Sequence, residues 1–149
     1  MSLSMTAYPV KTRESRPALW AGRILTTLAV LFLLFDGLAK VLKITPVREA
    51  CAQLDVPERV IPGLGTVLIA ATLLYAVQTT SVLGAIVLTG YLGGAIWTHV
   101  RMGGPVFPMV FPAIFGALLW GGLYLREPRL RALVPLRQAD RARTLEEEV

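Results

Sequence analysis

The sequence predicts an all-α integral membrane protein: an up-down four-helix bundle, with a short amphipathic surface helix between helices 1 and 2. Three observations carry that prediction. Of 149 residues, 54% are hydrophobic and 17% are charged, against about 45–50% apolar and about 25% charged in an ordinary soluble domain. The apolar residues gather in four blocks, each near the roughly 20 residues that cross a hydrocarbon core. None of the blocks shows the strict alternation of a barrel strand.

The first block runs from Leu19 to Leu42. At about 1.5 Å per residue it spans about 36 Å, which exceeds a core of roughly 30 Å and permits tilt. Lys11, Arg13 and Arg16 precede it, as in a signal peptide. The run is longer than a signal h-region and no A-x-A cleavage site follows, so it reads as the first helix. In the connection that follows, Thr45 and Pro46 read as an N-cap and N1 pair. Val47, Cys51 and Leu54 then share one helical face, with Arg48, Glu49 and Gln53 toward water, as expected of a short helix lying on the membrane surface. The second block runs from Val60 to Val77 and the third from Val82 to Val100. The link from Gln78 to Ser81 is so short that these two are antiparallel neighbours. The fourth runs from Pro105 to Leu125, with Pro108 and Pro112 at its entrance. The chain thus divides into an N-terminal segment, 1–17, a transmembrane domain, 18–125, and a tail, 126–149, that is basic and then acidic.

Lys and Arg set the orientation. One side collects nine: Lys11, Arg13, Arg16, Arg126, Arg129, Arg131, Arg137, Arg141 and Arg143. The other holds four: Lys43, Arg48, Arg59 and Arg101. Both termini are therefore expected in the cytoplasm. Trp20, Tyr75, Trp120 and Tyr124 fall near the inner interface, and Trp97, Phe107 and Phe111 near the outer one, the distribution of an aromatic belt. Gly90 and Gly94 form a GxxxG pair, and Ala113, Ala117 and Gly121 repeat at four-residue intervals. Such ridges let backbones approach closely, here within the bundle.

The residue counts exclude several chemistries. One cysteine, Cys51, and one histidine, His99, cannot build a zinc cage, an iron–sulfur cluster or an intrachain disulfide within one chain. No P-loop, dinucleotide fingerprint, GxSxG or HExxH is present, so nucleotide and common hydrolase chemistry drop out. The net charge of +5 is concentrated beside apolar blocks, where it meets lipid headgroups, so nucleic acid is not an expected partner.

Ionisable groups inside hydrocarbon cost a few kcal/mol at the least, and each is a functional candidate by default. Asp36 and Lys40 stand at i and i+4 in the favoured acid-before-base order. Mutual neutralisation is one reading, and Lys40 snorkelling to the headgroups is another. His99 and Arg101 fall at a similar outer level, so Asp36, Lys40, His99 and Arg101 are the candidate ligand-binding residues. Pro108 and Pro112 disrupt backbone bonds at that level, which leaves either carbonyls facing a polar, outward-opening pocket or a merely kinked helix. Cys51 reads as a small apolar filler.

Four segments in order, LFLLFDGLAKVLK at Leu31 to Lys43, PGLG at Pro62 to Gly65, LTGYLGGAIWTHVR at Leu88 to Arg101 and WGGLYLREPRLRALVPL at Trp120 to Leu136, resemble the DoxX-like membrane proteins. The resemblance covers nearly all of the chain from Ala18 to Leu136. It implies a bacterial inner-membrane bundle of four helices, in a family named for proteins linked to a membrane thiosulfate:quinone oxidoreductase. The matching positions are Gly37, Lys40, Gly63, Gly93, Gly94, His99 and Arg101, none an established catalytic residue in the family. With one cysteine, direct thiol or sulfur catalysis is not expected here.

Two functions follow as expectations. The first is an accessory or partner subunit of a membrane redox system, without a complete catalytic site, embedded in the bilayer beside an oxidoreductase partner. The second is a site for a small amphiphilic ligand, quinone or lipid-like, in the outer-leaflet half of the bundle. No cofactor is expected, although an apolar pocket of this kind is compatible with a quinone, and homo-oligomers are compatible with either reading. Transport has less support, because four helices without an internal repeat leave little room for alternating access.

Overall fold

Four apolar helices in sequence must bury one stripe each against the others and leave the rest to lipid. The computed structural model, which describes residues 16–127 and Leu130, resolves the chain in this way. Helix α1 is Arg16–Val41, α2 is Thr45–Gln53, a single 3-10 turn covers Glu58–Val60, α3 is Ile61–Ala76, α4 is Ser81–Arg101 and α5 is Val106–Arg126. The helix ends fall within three residues of the hydropathy blocks. Helices α1, α3, α4 and α5 span the membrane, and α2 is a short non-membrane helix between the first two spans. Most of the segment up to residue 17 and of the tail beyond 126 lies outside the described residues.

Helix α1 packs on α3 and α5, and α4 packs on the same two, so α1 and α4 face each other across the bundle diagonal. Consecutive spans are antiparallel, which sets α2 and the α4–α5 turn at one end and the α3–α4 turn at the other. Between 22% and 33% of each span's apolar window is buried inside the bundle. The remainder needs a lipid solvent, because no soluble domain leaves that much leucine and valine to water.

The core is a stripe from each helix: Ala29 and Leu33 of α1, Leu68, Ala71 and Tyr75 of α3, Ala85, Leu88 and Leu92 of α4, and Leu119 and Leu123 of α5. Tyr75 is fully buried. Its hydroxyl donates to the Leu119 carbonyl at 2.8 Å, and the Arg126 guanidinium lies 5.1 Å over its ring while donating to the Tyr75 carbonyl at 3.1 Å. The expected role of Tyr75 in an interfacial belt is therefore corrected. Nearness to a helix end says nothing about which way a side chain points.

Close backbone approach is made by glycines other than those the GxxxG spacing singled out. A methyl at Gly22 would lie 2.9 Å from Leu125 Cβ and 3.2 Å from the Gly122 carbonyl, so α1 and α5 meet there. Gly37 and Gly65 bring α1 and α3 together in the same way, and Gly84 sits against the Tyr75 backbone of α3. Gly90, Gly93 and Gly94 have nothing within 4 Å of where a Cβ would stand, and Ala113 and Ala117 are exposed. The expectation that these ridges pack inside the bundle is thereby overturned.

Two end signals also shift. The α2 N-cap is Ile44 rather than Thr45, without a side-chain cap, and Pro46 lies in the first turn, where its missing N–H is no loss. In α5, Pro105 is the N-cap and Pro108 is the third helical residue, so neither interrupts the ladder. Pro112 lies inside the helix and is buried, and it leaves only the Pro108 carbonyl without its intrahelical donor.

Candidate functional site

The inward stripe of α1 continues past its apolar core residues into charge. Ala29 and Leu33 are buried, and Asp36 and Lys40 follow at the i+3 and i+7 positions from Leu33, on the same helix face. Lys40 Nζ donates to both carboxylate oxygens of Asp36. The pair is half-covered, with Lys40 17% and Asp36 32% exposed. Its position near the end of α1 also sets the Lys40 charge in the last turn, where the helix dipole favours a cation.

Backbone packing fixes the pair. A methyl at Gly65 would stand 2.6 Å from the Gly37 carbonyl, 2.8 Å from Lys40 Cβ and 2.9 Å from the Val41 amide nitrogen. Helices α1 and α3 are thus in backbone contact at the turn that carries Lys40.

After α1 the chain turns through Lys43, whose φ of 51° is left-handed, and enters α2. Val47, Cys51 and Leu54 lie on its more covered side, whereas Arg48, Glu49 and Gln53 are exposed, as the spacing predicts. Cys51 is a buried free thiol. Burial pushes its pKa up; the Lys40 charge pulls the other way, and Asp36 adds to the rise. The thiol is thus neutral at physiological pH and lies within electrostatic reach of the ion pair. Tyr91 of α4 is also within electrostatic reach of Asp36 and Cys51. Neither residue was among the sequence-predicted site residues. The available signal was spacing: Tyr91 stands at i−8 from His99, which a helical stripe can contain.

The other two predicted residues form no hydrogen bond or ion pair with Asp36 or Lys40 among the described residues. Arg101 pairs with Asp55 at 3.7 Å, an exposed ion pair between the end of α4 and the loop after α2. Asp55 is itself left-handed, with φ 56°. His99 stands at i+7 from buried Leu92, on the inward stripe of α4, and makes no side-chain hydrogen bond among the described residues. The structure therefore brings Asp36 and Lys40 into contact and engages Arg101 with Asp55.

Outside the pair, Glu58 of the 3-10 turn accepts from Arg48 Nη2 at 3.3 Å, is ion-paired with Arg48 Nε at 3.1 Å and lies 4.0 Å from Lys43 Nζ. A groove of about 330 Å³ opens there between α2 and the start of α3, lined in part by Arg48, Glu49, Glu58 and Ile61. It holds none of the four predicted residues. On the flank of α1 toward α5, Phe32 stacks on Phe115 with centroids 4.5 Å apart and meets Phe111 edge-on at 5.7 Å.

The sequence pattern of the DoxX-like family matches residues 24–122, about two thirds of the chain. The chain belongs to the DoxX-like family. No curated protein and no solved structure matches it. For this DoxX-like protein the matched stretch runs from the third turn of α1 nearly to the end of α5 and contains the candidate site residues, from Asp36 to Arg101. Among the described residues, no three His, Cys, Asp or Glu side chains gather as a metal site. What the DoxX-like arrangement offers chemically is a self-neutralised ion pair with spare hydrogen-bonding capacity and a neutral thiol at the α2 end of an apolar bundle, with an imidazole in the last turn of α4 and a phenol midway along that helix.

Proposed function

We propose that this DoxX-like protein resides in the bacterial inner membrane with both termini cytoplasmic, and that it holds a small amphiphile at Asp36 and Lys40. The observation that supports the reading is the ion pair on the inward stripe of a spanning helix. At 17% and 32% exposure it is covered enough to carry a desolvation penalty and open enough to be reached. A charge pair in a span is seldom kept for stability alone, since apolar residues of similar size serve that purpose as well or better. Tyr91 and His99 add polar groups on α4, and Arg101 is paired with Asp55 at the surface. The nine-to-four distribution of Lys and Arg supports the orientation.

Native mass spectrometry of the protein released from nanodiscs tests this reading. Wild type is expected to retain a small-molecule mass that Asp36→Asn loses. Equal spectra for the two, with no retained mass in either, would overturn it.

A second reading, an accessory subunit of a membrane oxidoreductase, is favoured by the open glycines of α4. Gly90, Gly93 and Gly94 have nothing within 4 Å, and such surfaces admit a partner helix closely. A Gly90→Cys variant should then crosslink to a copurifying membrane chain. A solitary protein in mild detergent would count against it.

A further inference from the structure

The hydrogen-bonding capacity of the pair limits what it can take. A carboxylate offers about four lone-pair sites, and Lys40 fills one on each oxygen of Asp36. No other hydrogen bond reaches Asp36 among the described residues, so acceptor capacity remains on both oxygens. Lys40 keeps one N–H, but it is the more covered partner, at 17% against 32%. An incoming molecule therefore meets carboxylate before ammonium.

Charge narrows the choice again. Asp36 and Lys40 sum to zero, and the nearby Cys51 thiol is held neutral by burial. A charged head group would place an unpaired charge beside a balanced pair in a low-dielectric setting, which is costly. A neutral donor leaves the balance intact. The body of the ligand is set by the neighbouring surface. Phe32 lies one turn before Asp36 on the same face, is stacked on Phe115, and is itself 41% exposed, while Phe35 is 68% exposed. An aromatic or alkyl body laid along this surface from the bilayer brings its polar end to Asp36.

Resting on the ligand-site reading above, we infer that the site selects a neutral hydrogen-bond donor, a phenol or alcohol on an apolar body, over an amphiphile that can only accept. Charge-assisted bonds of this type carry enough energy for roughly tenfold or greater discrimination when the donor is removed.

The test compares 4-heptylphenol with 4-heptylanisole, which differ by replacement of the donor proton with a methyl group. Equilibrium binding is measured to wild type in nanodiscs, with partitioning into empty nanodiscs subtracted. The phenol should bind saturably and at least about tenfold tighter than the ether. In Asp36→Asn the gap should narrow, because an amide offers the ether a donor of its own. Saturable binding of both probes with equal affinity to wild type, lost in Asp36→Asn, would overturn the donor rule while keeping the site. Saturable binding of neither probe would overturn both. The comparison on wild type stands if Asp36→Asn does not fold.

Discussion

Gly84→Ala is the sharpest test of how the bundle is held together. Helices α3 and α4 are joined by only four residues, Val77–Thr80, and Gly84 lies where they converge. A methyl there would overlap the Tyr75 amide nitrogen, at 2.5 Å from Tyr75 Cα and 2.7 Å from the Leu74 carbonyl carbon. All three neighbours are backbone, so no rotamer change relieves the overlap and the helices must separate. Separation would also pull Tyr75 from the Leu119 carbonyl, to which it donates at 2.8 Å. Overpacking costs about 1–3 kcal/mol, and a backbone neighbour sets the upper part of that range. The intrinsic gain of Ala over Gly in a helix returns about 1 kcal/mol, leaving a net loss of about 2 kcal/mol.

Gly90→Ala supplies the control on the same helix. It makes the same chemical change where nothing lies within 4 Å, so it should be neutral or stabilising by up to about 1 kcal/mol. The two variants should thus differ by about 3 kcal/mol, close to a hundredfold in unfolding equilibrium. Denaturation in mixed micelles with increasing SDS, followed by far-ultraviolet circular dichroism, measures that difference. Equal midpoints for Gly84→Ala and Gly90→Ala would refute the assignment of Gly84 as the α3–α4 contact.

Three further outcomes are expected from the same assay or a simple companion. Asp36→Asn and Lys40→Met should each destabilise by about 1–3 kcal/mol, less than for a fully buried pair because both groups are partly exposed, and the double variant should lie closer to wild type than either single; additive losses would mean the pair is not coupled. Tyr75→Phe should lose about 1 kcal/mol and no more, since the Leu119 carbonyl keeps its place in the α5 ladder; a loss above about 3 kcal/mol would assign the hydroxyl a larger role. Cys51, whose pKa is raised by burial, stays protonated in the folded state at pH values where the unfolded thiol ionises, so the group favours folding below the unfolded pKa and that contribution is lost as pH rises through the folded one. Alkylation by iodoacetamide at pH 8 should accordingly be at least about tenfold slower in the folded protein than in SDS-unfolded protein; equal rates would show the thiol to be open.

The four spans and α2 were legible because they depend on quantities a sequence carries directly: the length of apolar runs, and the i, i+4, i+7 spacing of Val47, Cys51 and Leu54. The Asp36–Lys40 contact was legible for the same reason, being local to one helix. Rotation of the spans was not. A helix that is apolar all round has no polar face to orient it, so GxxxG spacing established that Gly90 and Gly94 share a side without saying which side. The glycines that do touch a neighbour, Gly22, Gly37, Gly65, Gly84 and Gly122, carry no distinguishing pattern along the chain. Arg101 followed the same logic: its partner Asp55 lies 46 positions away in a loop, and only the tertiary path of α2 brings the two together.

The close approach of α1 and α3 bears on the site as well as on the fold. Gly65 admits α3 to within contact of the Gly37 carbonyl and of Lys40 Cβ, so the turn of α1 carrying the ion pair is clamped by backbone, not by the charges themselves. The pair can therefore exchange hydrogen-bond partners without the helix rotating, because its orientation does not depend on the bond between Asp36 and Lys40. A ligand that donates to Asp36 meets a carboxylate already aimed, and the ordering that would otherwise weaken binding has been met during folding. A pair kept only to stabilise the bundle would need no such support, since the glycine contacts at Gly22, Gly84 and Gly122 hold the helices at the opposite end. On the ligand-site reading proposed above, the backbone clamp and the unused carboxylate acceptors at one turn of α1 would serve the same site.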